Sequence, residues 1–247
     1  MRQQGFGTRL AGLVLAAGLG AGTAQADAIG PEGEARFDIS LRGVPLGVLR
    51  VVTARSDGAY AATARLDRAG LTRLLPSARF EATVQGRVQG GRAVPLRYSE
   101  DVNTGRRESR TELEWERGVP RVVRSEPARP PEPWHLDPAE QAGTVDPMTM
   151  MLSVLADVAP ARACRLDLAT FDGRRRGQVV MAPATQTPAR VECAGVFRRV
   201  AGYSQEDLAE QHEFPFRVVY APDADGILRV VEVEAEGRLG TARMTRD

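Results

Sequence analysis

The chain has very few of the side chains on which most catalytic and metal-binding sites depend. Its 247 residues include only 2 Cys, 2 His and no Lys. So few thiols and imidazoles exclude a zinc or iron–sulfur centre built on several cysteines, and they leave little for chemistry that depends on histidine. We therefore predict neither a cofactor nor a bound metal.

The sequence also lacks an excess of charge of either sign. Its 33 basic and 32 acidic side chains leave a formal net charge of +1. Proteins that bind nucleic acid usually carry a basic excess, so nucleic acid is not an expected partner. Hydrophobic residues make up 43% of the chain, which is enough to fill a folded core and excludes a disordered chain.

The first 26 residues are typical of a secretory signal peptide. Arg2 and Arg9 supply a positive start, residues 10–19 form an apolar run, and Ala24-Gln25-Ala26 matches the small-x-small cleavage pattern. The apolar run is too short for a membrane span, which needs about 20 residues. No later apolar run is long enough either, so we predict a periplasmic protein that is not membrane-spanning after cleavage.

The two cysteines are Cys164 and Cys193. In an oxidising compartment a single pair predicts one structural disulfide. A redox-active pair is the alternative, although such cysteines are usually closer in sequence, as in C-x-x-C. By the loop-entropy account a structural bridge would contribute about 3–4 kcal/mol to stability.

Most of the sequence alternates apolar and polar residues with a period of two. Phe37, Ile39 and Leu41, for example, alternate with polar residues, and turn-forming residues separate such runs. This alternation is typical of antiparallel strands that bury one face. We predict a mainly β fold in which an antiparallel sheet forms an open half-barrel or a sandwich. We expect a single domain over residues 27–247, with a Pro-rich loop at 125–147.

One buried helix is predicted over about residues 147–158. Asp146 suits the N-cap and Pro147 the first helical position, and Ala159-Pro160 ends the segment. The apolar residues that follow at helical spacing are Met148, Met151, Leu152, Leu155 and Val158. This pattern predicts a helix that packs against the sheet.

Two shorter helical turns are expected. One covers residues 71–75 and is ended by Pro76. The other begins at a capping box formed by Ser204 and Asp207 and extends to Gln211.

The order of these patterns resembles a known family, the domain of unknown function 3108 of exported bacterial envelope proteins. The segments that carry the resemblance are LRGVPLGVLRV, RFEATVQGRVQGGRAVPLRY, VDPMTMMLSVL, TFDGRRRGQVVM, VECAGVFRRVAGY and ILRVVEVEAEGRLGTARM. The resemblance implies a mainly antiparallel β protein with a helix packed on the sheet, similar in architecture to the open half-barrels of lipoprotein carriers. It implies no agreed activity and no catalytic residues, since fold does not determine function.

The methionine-rich start of the predicted helix is the most distinctive candidate for a binding site. Methionine side chains are flexible and polarisable, and surfaces rich in them suit varied apolar ligands. We predict ligand contacts from Met148, Met151, Leu152 and Leu155. The alternative is that this helix only fills the core, because a buried helix has the same sequence pattern.

Other polar groups are weaker candidates. His135 in the Pro-rich loop is either a ligand or base or, as is usual for a lone loop histidine, solvated. His212 has Glu210 and Glu213 nearby, but a zinc site would need further ligands. Arg174, Arg175 and Arg176 form a basic turn that either contacts phosphate or anionic lipid headgroups or is simply solvated.

Acidic residues also have a structural interpretation. The stretch 223–226 is typical of a hairpin turn and lacks the later glutamate of a calcium loop. The alternating glutamates fit the solvated faces of strands, and they are Glu112, Glu114, Glu116, Glu232, Glu234 and Glu236.

Three functions follow from these patterns. The first is a non-enzymatic periplasmic protein that binds an apolar, lipid-like envelope ligand, or an envelope protein, on a curved sheet covered by the helix. The second is a structural or assembly factor that works through protein contacts, for instance by accepting a partner's strand at a sheet edge. The third is a polysaccharide hydrolase that uses two carboxylates.

Overall fold

A computed structural model describes residues 29–68, 79–104, 108–128, 130–237 and 239–247. The predicted signal peptide and the predicted helical turn at residues 71–75 lie outside these described residues. Within them, no helix is both long and apolar enough to cross a membrane.

Thirteen strands form one antiparallel sheet. They are β1 (Gly33–Leu41), β2 (Val44–Ser56), β3 (Ala59–Arg68), β4 (Arg79–Gln89), β5 (Arg92–Asn103), β6 (Glu108–Glu116), β7 (Val119–Glu126), β8 (Leu166–Phe171), β9 (Arg176–Thr187), β10 (Arg190–Ala201), β11 (Glu213–Pro222), β12 (Leu228–Gly237) and β13 (Gly240–Arg246). The spatial order is β7-β6-β5-β4-β3-β2-β1-β13-β12-β11-β10-β9-β8. Most strands therefore lie beside their neighbours in sequence. The exceptions are that β1 pairs with β13, and that β7 and β8, which are consecutive in sequence, form the two edges of the sheet. The predicted antiparallel β fold is confirmed, as one open sheet and not as two packed sheets.

The period-two pattern separates an apolar inner face from a charged outer face. In β3, Tyr60, Ala62 and Ala64 are buried while the residues between them are exposed. On the outer face, Arg217 Nη2 lies 2.8 Å from the Glu232 carboxylate on the neighbouring strand. Partly exposed ion pairs of this kind add little stability, but they keep the outer face polar and agree with the sequence interpretation of the glutamates.

The two edges of the sheet come close together, so the inner face is concave. A Cβ atom at Gly173, in the turn between β8 and β9, would lie 3.3 Å from Leu113 Cδ2 on β6. The segment between β7 and β8 lies along both edges. The Gly143 N–H donates to the Gly118 carbonyl beside β7 (3.0 Å), and Val145 pairs in parallel with Thr170 of β8.

Helix α1 (Pro147–Val154) lies against this concave face. Met148, Leu152 and Leu155 have 2%, 0% and 2% of their surface exposed, and they belong to the same core cluster as the inner residues of the strands. The helix ends before the predicted residue 158, because Val158 instead exchanges two backbone hydrogen bonds of 2.9 Å with Leu228 of β12. The chain leaves the helix in order to pair with the sheet.

A buried polar chain fixes the start of α1. Asp146 Oδ1 accepts from the Thr149 N–H (2.7 Å), and Oδ2 accepts from the Thr149 hydroxyl (2.6 Å). The Thr149 hydroxyl also lies 2.9 Å from the Tyr60 hydroxyl on β3. Burial raises the pKa of the Asp146 carboxyl to about 6, and the hydrogen bonds from Thr149 act in the opposite direction.

The predicted disulfide and the predicted helical turn after Ser204 are confirmed. Cys164 and Cys193 form a disulfide with a Cα–Cα distance of 5.2 Å, which ties the segment before β8 to β10. A short helix, α2 (Gln205–Glu210), begins where the capping box predicts, since Ser204 Oγ accepts from the Asp207 N–H.

The Asp146 carboxyl makes stability depend on pH. Its pKa is higher in the folded protein than the ordinary 3.8, so folding binds the proton more tightly and stability falls as pH rises from about 4 to about 6. Asp146→Asn removes this titration and keeps groups able to bond Thr149. Since one pKa unit corresponds to about 1.4 kcal/mol, we expect the variant to gain about 2–3 kcal/mol relative to the wild type between pH 4 and pH 7. Urea unfolding at both pH values measures the difference.

Asp146→Ala is the control, because it removes the N-cap as well as the titration and should cost about 1 kcal/mol more than the asparagine variant at each pH. Parallel stability profiles for the wild type and Asp146→Asn would contradict a buried, titrating carboxyl at this position.

Candidate functional site

Apolar side chains continue along the concave face beyond the part that α1 covers. We call this set the inner apolar strip, and its members are Ile39, Leu41, Phe197, Phe214, Phe216, Val233, Ala235, Ala242 and Met244. All of them are half-buried, in contrast to the fully buried core under α1. They come from β1, β13, β12, β11 and β10, which are consecutive neighbours in the sheet.

The register of the sheet places these residues on one face. The fully buried Val218 pairs with Val233, Val233 pairs with Met244, and Met244 pairs with Ile39. Directly paired residues of antiparallel strands point to the same face. The strip is therefore a continuation of the core across five strands, with part of its apolar surface still accessible.

Glycine lets an aromatic ring lie flat within the strip. Phe216 pairs with Gly195, and a Cβ atom at Gly195 would lie 2.3 Å from the Phe216 ring. Only glycine allows the ring this close to the neighbouring backbone. The rings of Phe197 and Phe214 lie next to it with their centroids 6.1 Å apart, so this end of the strip is a broad aromatic surface.

Stacked cations border the aromatic end of the strip. The Arg199 guanidinium lies 5.0 Å from the ring of Phe214 and 5.2 Å from that of Tyr203, and Arg175 lies 5.3 Å from the same tyrosine ring. Such cation–π contacts hold the side chains in place. Arg199 also donates to the carbonyl of Gln211 after α2 (2.9 Å), which fixes α2 to the sheet.

A polar cleft lies next to this border, where the two edges of the sheet approach each other. We call it the seam cleft, and it has a volume of about 170 Å³. The residues that line it include Glu100, Ser125, Glu126, His135, Arg174 and Arg175. Arg175 lines the cleft and stacks on Tyr203, which also contacts Arg199 beside Phe214, so a row of stacked side chains joins the cleft to the strip.

Asp172 organises the turn that carries the cleft's arginines. Its Oδ1 accepts from the backbone N–H groups of Arg174 (3.0 Å) and Arg175 (2.8 Å), and its Oδ2 accepts from Arg175 Nε (2.9 Å). Gly202 packs directly on this turn. Its φ of +86° and the 2.6 Å from a Cβ at this position to the Arg174 carbonyl both require glycine.

The carboxylates of the seam cleft already have partners. Asp172 binds Arg175, Glu100 accepts from the Tyr98 hydroxyl (2.7 Å), and Glu126 accepts from Arg124 (3.0 Å). Among the described residues, Arg174 has no carboxylate at ion-pair distance, and its guanidinium donates to Ser125 Oγ (3.2 Å).

His135 is held in one tautomer. Its Nδ1 accepts from the Glu132 N–H (3.0 Å), so the neutral ring carries its proton on Nε2. Burial lowers the pKa of the imidazole, and the positive charge of Arg174 lowers it further. His135 is therefore a neutral hydrogen-bond donor at neutral pH.

The residues predicted to bind a ligand lie in two different environments. Met148, Leu152 and Leu155 are core residues, whereas Met151 is half-buried and packs against the edge of the core. A ligand-binding role for these four residues stays a prediction.

The other sequence candidates take simple positions. His212 is exposed, and its carbonyl accepts from the Arg199 N–H (2.9 Å). Asp223 Oδ1 accepts from the N–H groups of Asp225 and Ile227, which confirms the hairpin turn. The strip was not predicted from the sequence. Gly195 could have indicated it, because a glycine within an apolar strand often lets an aromatic ring lie close to the backbone.

The geometry defines an open antiparallel half-barrel with a helix in its concave face and an apolar strip beside that helix. A family model described as "Protein of unknown function (DUF3108)" matches residues 36–247, so the chain belongs to that family. No curated protein matches the chain. A solved structure, that of a beta-barrel-like protein of domain of unknown function DUF1849 from Brucella abortus, is 14% identical. That comparison covers 89% of this chain and 98% of the other, with a TM-score of 0.45.

Family membership and the disulfide bear on where the protein works. DUF3108 is a family of exported bacterial proteins, and structural disulfides persist in oxidising compartments. Both facts are consistent with a location outside the cytoplasm.

The electrostatic effect of Arg174 on His135 can be measured directly. Arg174→Ala removes a nearby positive charge and part of the covering surface, so we expect the pKa of His135 to rise in the variant. An NMR titration of the imidazole resonances measures the change, and His135→Gln identifies the signal. Arg176→Ala is the control, because Arg176 does not line the cleft. Equal pKa values for His135 in the two arginine variants would contradict the assigned geometry.

Proposed function

We propose that the protein is a non-enzymatic periplasmic protein that binds the hydrocarbon part of a lipid-like envelope ligand on the inner apolar strip. The observation that carries this proposal is the strip itself. Nine apolar residues on consecutive neighbouring strands stay half-buried on a concave face, next to a core that α1 closes completely. A contiguous apolar surface that stays accessible is typical of a binding site.

The energetics favour a hydrocarbon ligand. Each 100 Å² of apolar surface removed from water contributes about 2.5 kcal/mol before the costs of ordering. The strip residues are already held by the sheet register, so most of the ordering cost falls on the ligand. Because the stacked arginines Arg175 and Arg199 lie at one end, a chain lying along the strip meets apolar side chains for most of its length.

Helix α1 is the boundary of the proposed site. Its buried residues hold the concave face together, and Met151 is the member of the predicted set with surface left for a ligand. This assignment combines the two interpretations of the methionine-rich helix, because most of it fills the core and only its accessible side adjoins bound ligand.

A non-enzymatic role is supported by the positions of the acidic residues. The Glu112 and Glu234 carboxylates lie on the outer face and bind Arg124 and Arg243. Carboxylates held in this way serve the solubility of the sheet. A glycosidase instead needs two carboxyl groups facing each other across a cleft, and the three carboxyl groups of the seam cleft, Glu100, Glu126 and Asp172, are each held by a neighbouring donor.

An assembly role through strand addition is the second candidate, and one feature favours it. β8 pairs with β9 only as far as Met181, so residues 182–187 of β9 are exposed and have only β10 as a neighbouring strand. The two edge strands themselves, β7 and β8, are covered by the segment that connects them. A native mass spectrum showing a stoichiometric protein partner, and no small adduct, would favour this role.

Filling part of the strip should weaken ligand binding. Ala235 lies between Phe216 and Ala242, and Ala235→Phe places a ring on the concave face. We expect the affinity for N-phenyl-1-naphthylamine, an uncharged apolar fluorophore, to fall at least about tenfold, because one displaced aromatic contact is worth more than about 1.4 kcal/mol. Fluorescence titration of the purified protein measures the affinity.

Glu236→Phe is the matched control, because it adds the same ring to the opposite face of the same strand. Circular dichroism of both variants shows whether they fold. Equal binding by the two folded variants, or no binding by the wild type, would contradict a site on the strip.

A further inference from the structure

We infer that the seam cleft binds a phosphate group, held by the Arg174 guanidinium and the His135 Nε2–H. The inference rests on the proposed function, because the ligand that carries this phosphate is an anionic amphiphile whose hydrocarbon chain lies on the inner apolar strip. It names the headgroup end of the ligand and the residues that recognise it.

The charged side chains of the cleft differ in whether they have a partner of opposite charge. The carboxylates of Glu100, Glu126 and Asp172 are each engaged by a neighbouring donor. Among the described residues, Arg174 is the cleft arginine that has no carboxylate partner. Glu126 and Asp172 are paired with arginines, whereas Glu100 accepts from the neutral Tyr98 hydroxyl and keeps its negative charge. What Arg174 offers an anion is therefore a set of guanidinium N–H groups that no carboxylate occupies.

The hydrogen-bond donors of the cleft also suit a phosphate group. Arg174 offers a planar fork of N–H groups that fits phosphate oxygens. His135 adds an Nε2–H from the segment between β7 and β8, and the Ser125 hydroxyl, which accepts from Arg174, keeps its own proton free to donate. Donors that approach from three elements suit a tetrahedral group with several acceptor oxygens.

The turn that carries Arg174 is rigid. The turn of Arg174 is held by Asp172 and by Gly202, and the Leu136 N–H donates to the Arg174 carbonyl (2.9 Å). Fixed donors lose little freedom when an anion binds.

The size and position of the cleft also bear on what it binds. A cleft of about 170 Å³ is smaller than the ~300–1,000 Å³ of a site for a complete drug-sized ligand, so it suits a headgroup. Arg175 and Tyr203 lead from the cleft to Arg199 and the Phe214 ring. In the inferred complex, the chain of a ligand anchored in the cleft runs over these stacked side chains to the strip.

Isothermal titration calorimetry tests the inference with three probes. They are dihexanoyl phosphatidylglycerol below its critical micelle concentration, glycerophosphoglycerol as the same headgroup without chains, and octyl glucoside as an uncharged amphiphile. We expect the phospholipid to bind more tightly than either other probe. Arg174→Gln should weaken phospholipid binding about tenfold and leave octyl glucoside binding unchanged, because a charge-assisted contact is lost. Arg176→Gln is the matched control on the same turn.

The other outcomes separate the two proposals. Equal phospholipid affinity in Arg174→Gln and the wild type, with Ala235→Phe still blocking both amphiphiles, would overturn the headgroup site and leave the proposed function standing. Arg174-dependent binding of glycerophosphoglycerol that chains do not improve would support a site for a soluble phosphate ester and overturn the proposed function. Binding of none of the three probes would overturn both.

Discussion

A thirteen-stranded antiparallel sheet with one apolar face needs a cover for that face, and the segment between β7 and β8 supplies it. This cover is stable because the polar groups at the start of α1 form hydrogen bonds although they lie inside the core. Asp146 caps the helix, Thr149 links the cap to Tyr60 on β3, and the Trp115 indole donates to the Thr144 carbonyl (3.0 Å). A buried helix end without such partners would cost several kcal/mol. The same segment lies along β7 and β8, so covering the face also protects the exposed edges of the sheet.

The length of this cover determines where a ligand has room. α1 has 8 residues and closes the core over the strands nearest to it, whereas the inner faces of β1 and of β10–β13 continue beyond it. Residues there keep the apolar character of core positions, although they are only half-buried. The turn before β9, strand β10 and the loop after β10 place Arg175, Arg199 and Tyr203, respectively, at the border next to the seam cleft. An apolar surface with a cationic end is therefore a consequence of the topology. Helix α1, which covers the concave face, is too short to reach every strand of the sheet.

Local signals were sufficient for the elements of this fold but not for the site. The strands follow from period-two alternation, the start of α1 from Asp146 and Pro147, and the disulfide from a single cysteine pair. The end of α1 could not be predicted, because Val158 leaves the helix for a partner 70 residues away in sequence, Leu228. The pairing of β1 with β13 likewise joins the two ends of the chain and leaves no local mark. The strip and the seam cleft depend on that register and on the approach of the two edges, so sequence periodicity alone cannot bring their residues together.

The central claim is that a hydrocarbon chain binds to the strip while α1 stays in place. The most direct test is to measure intermolecular NOEs between the octyl chain of octyl glucoside and the protein's assigned methyl groups. The account predicts NOEs to the methyls of Ile39, Val233 and Met244, with none to Leu152 or Leu155. NOEs to the two leucines would contradict it, because a ligand can reach them only if the helix leaves the concave face.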